Sequence, residues 1–261
     1  MDLNLQGKNA LVCGSSKGIG KAAAIELAKL GANVTLVSRS PEAMGEVLQE
    51  LVQEEGQDHD FLVADFTDSQ DLKKRVVGLL SSKTIHILIN NTGGPPGGPL
   101  LEADPTAFQQ AFHNHLICNH ILSSLVVKGM KADGYGRIIN VISTSVREPI
   151  NNLGVSNTIR GAVGNWSKTL ANELGPDGIT VNNVLPGYTY TERLQSIIKS
   201  WASKNEVTEA EMAEKMKNNV PLRRFAEPGE VAAAIAFLAS PAAAYISGTN
   251  ITVDGGRTRS H

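Results

Sequence analysis

Short runs of apolar residues alternate along the chain with longer stretches whose apolar positions recur at helical spacing. Residues 9–13 (Asn-Ala-Leu-Val-Cys) form the first run, an amphipathic stretch covers 21–30, a second run covers 33–37, and a Glu-rich helix follows through residue 55. Further short runs at 61–64, 85–89, 137–141, 179–184 and 250–253 are separated by helical patterns at 69–80, 105–130, 153–174 and 228–238. Nearly continuous apolar strands suit a parallel sheet covered on both faces. Seven strands interleaved with helices predict a doubly wound α/β sheet in one domain, residues 1–261. One segment breaks the rhythm. Residues 191–224 read as polar amphipathic helices placed after the carboxyl end of a strand, where such sheets bind ligands, and so as a lid or substrate-binding insertion.

Composition narrows the class. The 261 residues are 41% hydrophobic and 19% charged, with a formal net charge of −2, which fits an ordinary globular protein. No stretch gathers Lys and Arg into a nucleic-acid footprint. No run of about 18 apolar residues suggests a membrane span, and the first residues lack a signal-peptide pattern, so a cytoplasmic location is expected. Cys13 and Cys118 lie far apart without metal-ligand spacing and read as small core residues. His113, His115 and His120 cluster in sequence, but on a helix His113 and His115 point about 200° apart, so no metal site is expected.

The strongest chemical signal follows the first strand. Gly14-Ser15-Ser16-Lys17-Gly18-Ile19-Gly20 opens a helix, and glycines at that place permit a tight turn and close backbone approach to a pyrophosphate. Glycine also marks any sharp turn, so the strand-loop-helix setting carries the argument.

This loop resembles the T-G-x-x-x-G-I-G of the short-chain dehydrogenase/reductase family, with Cys13 where Thr is usual. Asn90-Asn91-Thr92-Gly93 resembles the family's N-N-A-G, and the run from Pro186 to Thr191 resembles P-G-x-x-x-T. The segment from Pro221 to Pro228 and the closing Val253-Asp254-Gly255-Gly256 are similar to the 3-oxoacyl carrier-protein reductase branch. The resemblance covers nearly the whole chain in order. It implies cofactor contacts from Gly14, Ser16, Lys17, Gly18, Ile19 and Gly20, from Asp65 and Phe66 at the adenine, and from Asn91, Gly93, Arg160, Pro186, Gly187, Thr189 and Thr191. After the second strand an NAD-preferring site carries a carboxylate for the ribose hydroxyls. Here Ser38 stands there, followed by Arg39. With Lys17 in the glycine loop, two cations can converge on a 2′-phosphate, so NADP(H) is the expected cofactor. The competing reading of both is a solvated surface charge.

The positions at which the family carries Asn, Ser, Tyr and Lys fall here on His115, Ser143, Ser156 and Arg160. Ser143 alone is unchanged. Arg160 keeps a positive charge and can bind ribose hydroxyls, but Ser156 is shorter than Tyr and a much weaker acid. Losing a positioned acid costs roughly 10²–10⁴ in rate, which leaves room for slow hydride transfer with a proton from water held by Ser156, His115 or Tyr188. His115 would suit an acid titrating near neutrality, while Tyr188 would equally suit a pocket wall.

The expected function is NADP(H)-dependent hydride transfer to or from a ketone, an alcohol or an acyl thioester, with altered acid/base residues. The alternative is a non-catalytic NADP(H)-binding sensor or assembly partner. The family's enoyl reductases use a wider Tyr-to-Lys spacing, and Leu153 occupies that Tyr position, so that variant is not supported. The resemblance also implies a homo-oligomer, a tetramer, pairing the helices at 105–130 and 153–174, with Gly161 and Gly164 permitting close approach.

Overall fold

The computed structural model describes residues 1–54 and 56–260. Seven parallel strands form one sheet in the order β3-β2-β1-β4-β5-β6-β7. They are β1 (Asn9–Cys13), β2 (Asn33–Ser38), β3 (Asp60–Val63), β4 (Ile87–Asn90), β5 (Gly136–Val141), β6 (Ile179–Pro186) and β7 (Asn250–Val253). The chain winds outward from β1 to β3, returns to the middle, and winds the other way from β4. That reversal opens a crevice beyond the carboxyl ends of β1 and β4, the place where open α/β sheets take ligands.

The period-2 geometry of a strand sends Ala10 and Val12 to one face and Leu11 and Cys13 to the other, all fully buried. On the first face they meet Ala23, Ala24 and Leu27 of α1 (Gly18–Lys29) and Val231 and Ile235 of α9 (Pro228–Ala239). On the second they meet α3 (Ser69–Leu80), α5 (Cys118–Asp133) and α6 (Gly154–Leu174) through residues such as Leu72, Leu122 and Leu174. Both cysteines lie in this second layer, and burial pushes the Cys118 thiol up to about 12. Helix starts follow local chemistry. Asp68 accepts from the N–H groups of Gln70 and Asp71 at α3, and Asp104 caps α4 (Pro105–Phe112), whose first residue is Pro.

Several boundaries depart from the sequence reading. The helix expected to run through Glu55 is α2 (Pro41–Glu50), closed by an extended Leu51; Glu55 itself lies outside the described residues. The third and fourth strands are displaced from the expected 61–64 and 85–89 by one or two residues. The single helix expected over 105–130 is two α-helices, α4 and α5, joined by a π-helical turn at His113–Ile117. A wider turn of that kind shifts the face presented by everything beyond it, and hydrophobic periodicity does not reveal it.

Four strands also carry a feature that strand propensity argues against. Asn90, Asn140, Asn183 and Asn250 stand in register across β4 to β7. Their side-chain amides donate in sequence, Asn90 to Asn140 at 2.8 Å, Asn140 to Asn183 at 3.0 Å and Asn183 to Asn250 at 2.8 Å. A buried amide is tolerated when it is paired, and this ladder pairs each with its neighbour.

The 191–224 segment contains α7 (Glu192–Lys204) and α8 (Glu209–Asn218). Leu194, Ile198, Ala202, Met212 and Met216 join Phe225 in a small core of their own, separate from the two sheet cores. Thr208 and Glu211 form a reciprocal cap at the start of α8. Among the described residues no helix is long and apolar enough to cross a membrane.

Candidate active site

A cleft of about 1250 Å³ opens over the crevice at the sheet's carboxyl edge. Ordinary small-molecule pockets hold about 300–1,000 Å³, so this one has room for a dinucleotide and a second molecule. One end is the glycine loop and the ends of β2 and β3, with Ser38, Arg39, Asp65 and Phe66. The other is built from Ser143, Ser156, Arg160, the Pro186–Thr191 segment and the first turns of α7. Of the site residues read from the sequence, all line this cleft except Gly20 and His115.

Gly20 acts from beneath the loop. A Cβ there would stand 2.2 Å from the Gly14 carbonyl oxygen and 2.8 Å from Asn91 Nδ2. Asn91 in turn donates from Nδ2 to the carbonyls of Cys13 at 3.2 Å and Gly14 at 3.3 Å, which ties the end of β4 to the loop. This packing leaves the start of α1 open toward the cleft, where unpaired N–H groups and the helix dipole favour phosphate. Lys17, Lys21 and Arg39 line the glycine-loop end of the cleft beside Asp65, a balance that suits a polyanionic cofactor.

The two cations expected to meet at a 2′-phosphate have exposed partners. Lys17 pairs with Glu192 at the start of α7, linking the glycine loop to that helix. Arg39 stands 4.0 Å from Asp65, the two side chains being 76% and 44% exposed. Exposed pairs of this kind are worth little and are readily exchanged for a ligand. The Thr67 backbone N–H holds the Asp65 carboxyl below its ordinary value, with Arg39 adding to the effect.

At the other end, Ser143 follows β5 and its Oγ accepts the Ser145 N–H at 3.1 Å. Its own O–H is therefore left to donate. Ser156 and Arg160 share a face of α6, one turn apart. Arg160 is 8% exposed, and its Nη1 donates to the Val141 carbonyl at 2.8 Å. Burial, with the charge of Arg193 added, brings its guanidinium down to about 10, so it stays protonated at neutral pH.

His115 corrects the sequence reading. It lies in the π-helical turn, 2% exposed, while its neighbour Asn114 faces the cleft. Burial first and the Arg160 charge second push the ring down to about 2, against a hydrogen bond with the Gly93 backbone. A ring held neutral cannot act as an acid titrating near neutrality. The expected consequence is one of stability. Between pH 6.5 and 2 the unfolded chain binds a proton at this position that the folded chain does not, so stability falls as pH falls through that window. From pH 6.5 to 5 urea unfolding should show a loss of about 1–2 kcal/mol that is missing in His115→Asn; parallel slopes for the two proteins would refute it.

Residues the sequence reading passed over also face the cleft, notably Arg193 and Trp201 of α7, Ile150, and Arg257. Tyr188 lines it too, packed edge-on against Phe225 and covered by the Arg257 guanidinium at 4.5 Å. Arg193 left one trace in the sequence, a cation in the first turn of a helix, where the dipole disfavours it. Among the described residues no group of three His, Cys, Asp or Glu side chains is placed to hold a metal.

Comparison with known proteins agrees with this geometry. A family model described as enoyl-(acyl carrier protein) reductase matches residues 14–258. The 7α-hydroxysteroid dehydrogenase of Escherichia coli K12 is 33% identical over 257 residues, spanning 98% of this chain and 96% of its own. The 3-oxoacyl-(acyl-carrier-protein) reductase of Vibrio harveyi is 33% identical over 257 residues, spanning 97% and 98%. L-sorbose reductase from Gluconobacter frateurii, solved with NADPH and L-sorbose, superposes with a TM-score of 0.93 at 31% identity over 100% of both chains. With fold, cleft and sequence in accord from end to end, this chain is a member of the short-chain dehydrogenase/reductase family.

Proposed function

We propose that the protein is an NADP(H)-dependent oxidoreductase that moves hydride between the nicotinamide and a ketone or alcohol, without a tyrosine as its proton donor. The observation that carries the proposal is the single cleft joining the glycine loop and Arg39 at one end to Ser143, Ser156 and Arg160 at the other. NADP(H), when bound, supplies the hydride; the chain supplies position and charge. Gly14 to Gly20 and the start of α1 hold the pyrophosphate, Arg39 and Lys17 the 2′-phosphate, and Asp65 and Phe66 flank the adenine. Asn91, Gly93, Arg160, Pro186, Gly187, Thr189 and Thr191 hold the nicotinamide half.

Ser143 donates a hydrogen bond to the carbonyl oxygen and so stabilises the charge that grows there. The proton arrives from water between Ser156 and Tyr188, since His115 is neutral and off the cleft wall. The relatives named as a steroid dehydrogenase and a sugar reductase support a carbonyl or alcohol substrate. An enoyl substrate is not carried over from the family model's description, because Leu153 stands at the corresponding Tyr position. Nothing lies within 4 Å of a Cβ built on Gly161, whereas one on Gly164 would meet Val146 at 3.2 Å. The open flank at Gly161 supports a homo-oligomer, a tetramer in this reading, paired through the helices at 105–130 and 153–174.

Calorimetric titration with both cofactors tests the proposal. Arg39→Ala is expected to weaken NADPH binding by about 10- to 150-fold, the equivalent of one charged hydrogen-bond contact, and to leave NADH unchanged. Tighter NADH binding in the wild type, indifferent to Arg39→Ala, would reverse the cofactor assignment.

A further inference from the structure

Arg160 of α6 and Arg193 of α7 approach the same point of the cleft. A Cβ built on Gly94, just beyond β4, would lie 3.8 Å from Arg193 Nη2 and 3.9 Å from Arg160 Nη2. Neither guanidinium has a carboxylate among the described residues within 4.0 Å. Each is engaged only by a backbone carbonyl, Arg160 with Val141 and Arg193 with Pro95 at 2.6 Å. Arg160 Nε is buried with no partner at all. Two like charges converging without a counter-ion, one of them almost wholly buried, is an unfavourable arrangement unless a ligand supplies the anion. Among other cations Arg75, Lys131 and Arg224 have acidic partners, while buried Arg137 is held by backbone carbonyls and the Tyr135 ring; the pair at Gly94 differs in bringing two such guanidinium groups together.

We propose that Arg193 is a specificity-determining residue which, with Arg160, binds a carboxylate on the carbonyl substrate. The inference rests on the oxidoreductase reading and adds the substrate class, an oxo or hydroxy carboxylic acid. A carboxylate matches the forked geometry of guanidinium and carries a single charge between two partners. Ile150, Leu153 and Trp201 in the same cleft provide an apolar wall for the substrate's carbon chain. The placement of Arg193 on α7 gives the 191–224 segment a role in substrate selection.

The test uses 2-oxobutanoate, acetoacetate, levulinate and 5-oxohexanoate beside their methyl esters, with dihydroxyacetone phosphate as a second anion. Binding to the full chain saturated with NADP⁺ is measured by calorimetry, and reduction by NADPH oxidation. The expected result is at least one chain length at which the acid binds at least tenfold more tightly than its ester. Arg193→Gln should abolish that ratio, Arg193→Lys should recover part of it, and NADP⁺ affinity should change by less than twofold. Equal or undetectable binding of acids and esters at every length overturns the proposal, and needs only the wild type. So does an Arg193→Gln variant that loses NADP⁺ affinity while keeping the acid preference, which would assign Arg193 to the cofactor. Tighter binding of the phosphate than of any acid overturns the carboxylate assignment. Acid preference in binding without NADPH oxidation would leave this site standing and remove the hydride-transfer reading. Rapid reduction of ketones with no acid preference would do the reverse.

Discussion

The double variant Ser156→Tyr/Arg160→Lys is expected to reduce ketones with NADPH about 10²–10⁴ times faster than the wild type, the range a positioned general acid contributes. Both positions line the cleft on one face of α6. A tyrosine at position 156 reaches further than serine and carries an acid whose ordinary value near 10 is lowered by an adjacent cation. Arg193 adds a second positive charge to that end of the cleft. The single changes should do less, for reasons visible in the structure. Ser156→Tyr alone sets a phenol beside a guanidinium that is already committed to the Val141 carbonyl. Arg160→Lys alone loses that geometry and has no phenol to tune. The two substitutions share one function and should therefore be non-additive. Turnover is followed over a ketone panel with NADPH affinity as the control for folding. A wild type already fast, with the double variant slower, would show that Ser156 and Tyr188 with their water form a competent donor. Binding of NADPH without turnover in either protein would favour a sensor or assembly role over catalysis.

Gly20→Ala is expected to abolish measurable NADPH binding, a loss of at least 100-fold, and to lower unfolding stability by about 1–3 kcal/mol, the usual cost of overpacking. The added carbon would lie 2.2 Å from the Gly14 oxygen and 2.7 Å from its carbonyl carbon, both backbone atoms that cannot rotate away. Relief requires the loop itself to move, and with it the N–H groups that face the phosphates. Gly18→Ala should be milder at the level of contact, since the added carbon meets the Thr191 methyl at 3.3 Å, but its φ of 58° is strained for any residue with a Cβ. Gly45→Ala is the control. It sits in α2 with nothing within 4 Å, and should be neutral or slightly stabilising. Undiminished NADPH affinity in Gly20→Ala would mean that the loop does not hold the phosphates.

The fold was legible because its determinants are local and repeated. Alternating short apolar runs and helical patterns identified seven strands and the major helices, and β1, β7 and α3 fall on the expected residues, since buried parallel strands have to be nearly all apolar. Where the reading failed, the cause was an interaction that periodicity does not encode. The stop of α2 at Glu50 and the π-helical turn within 105–130 are instances. The strands holding Asn140, Asn183 and Asn250 were read correctly, but not their pairing, for each Asn is a poor strand residue alone and becomes acceptable through its in-register neighbour.

The same division runs through the candidate site. Sequence by itself determined the glycine loop, the absence of a carboxylate at Ser38, the cation at Arg39, and the identities Ser156 and Arg160, all properties of residue type at a motif position. Tertiary structure decided environment. His115 and Arg160 are both ionisable in the sequence, yet burial and the Arg160 charge hold the imidazole neutral, while the guanidinium stays charged although burial and Arg193 lower its pKa, because the two groups start so far apart. Arg193, in an unremarkable Thr-Glu-Arg run, comes near Arg160 only because the start of α7 packs against the segment just beyond β4, where Arg193 donates to the Pro95 carbonyl. Charge is written in the sequence, but what a charge faces depends on chain segments distant from it, and that distance is closed by packing alone.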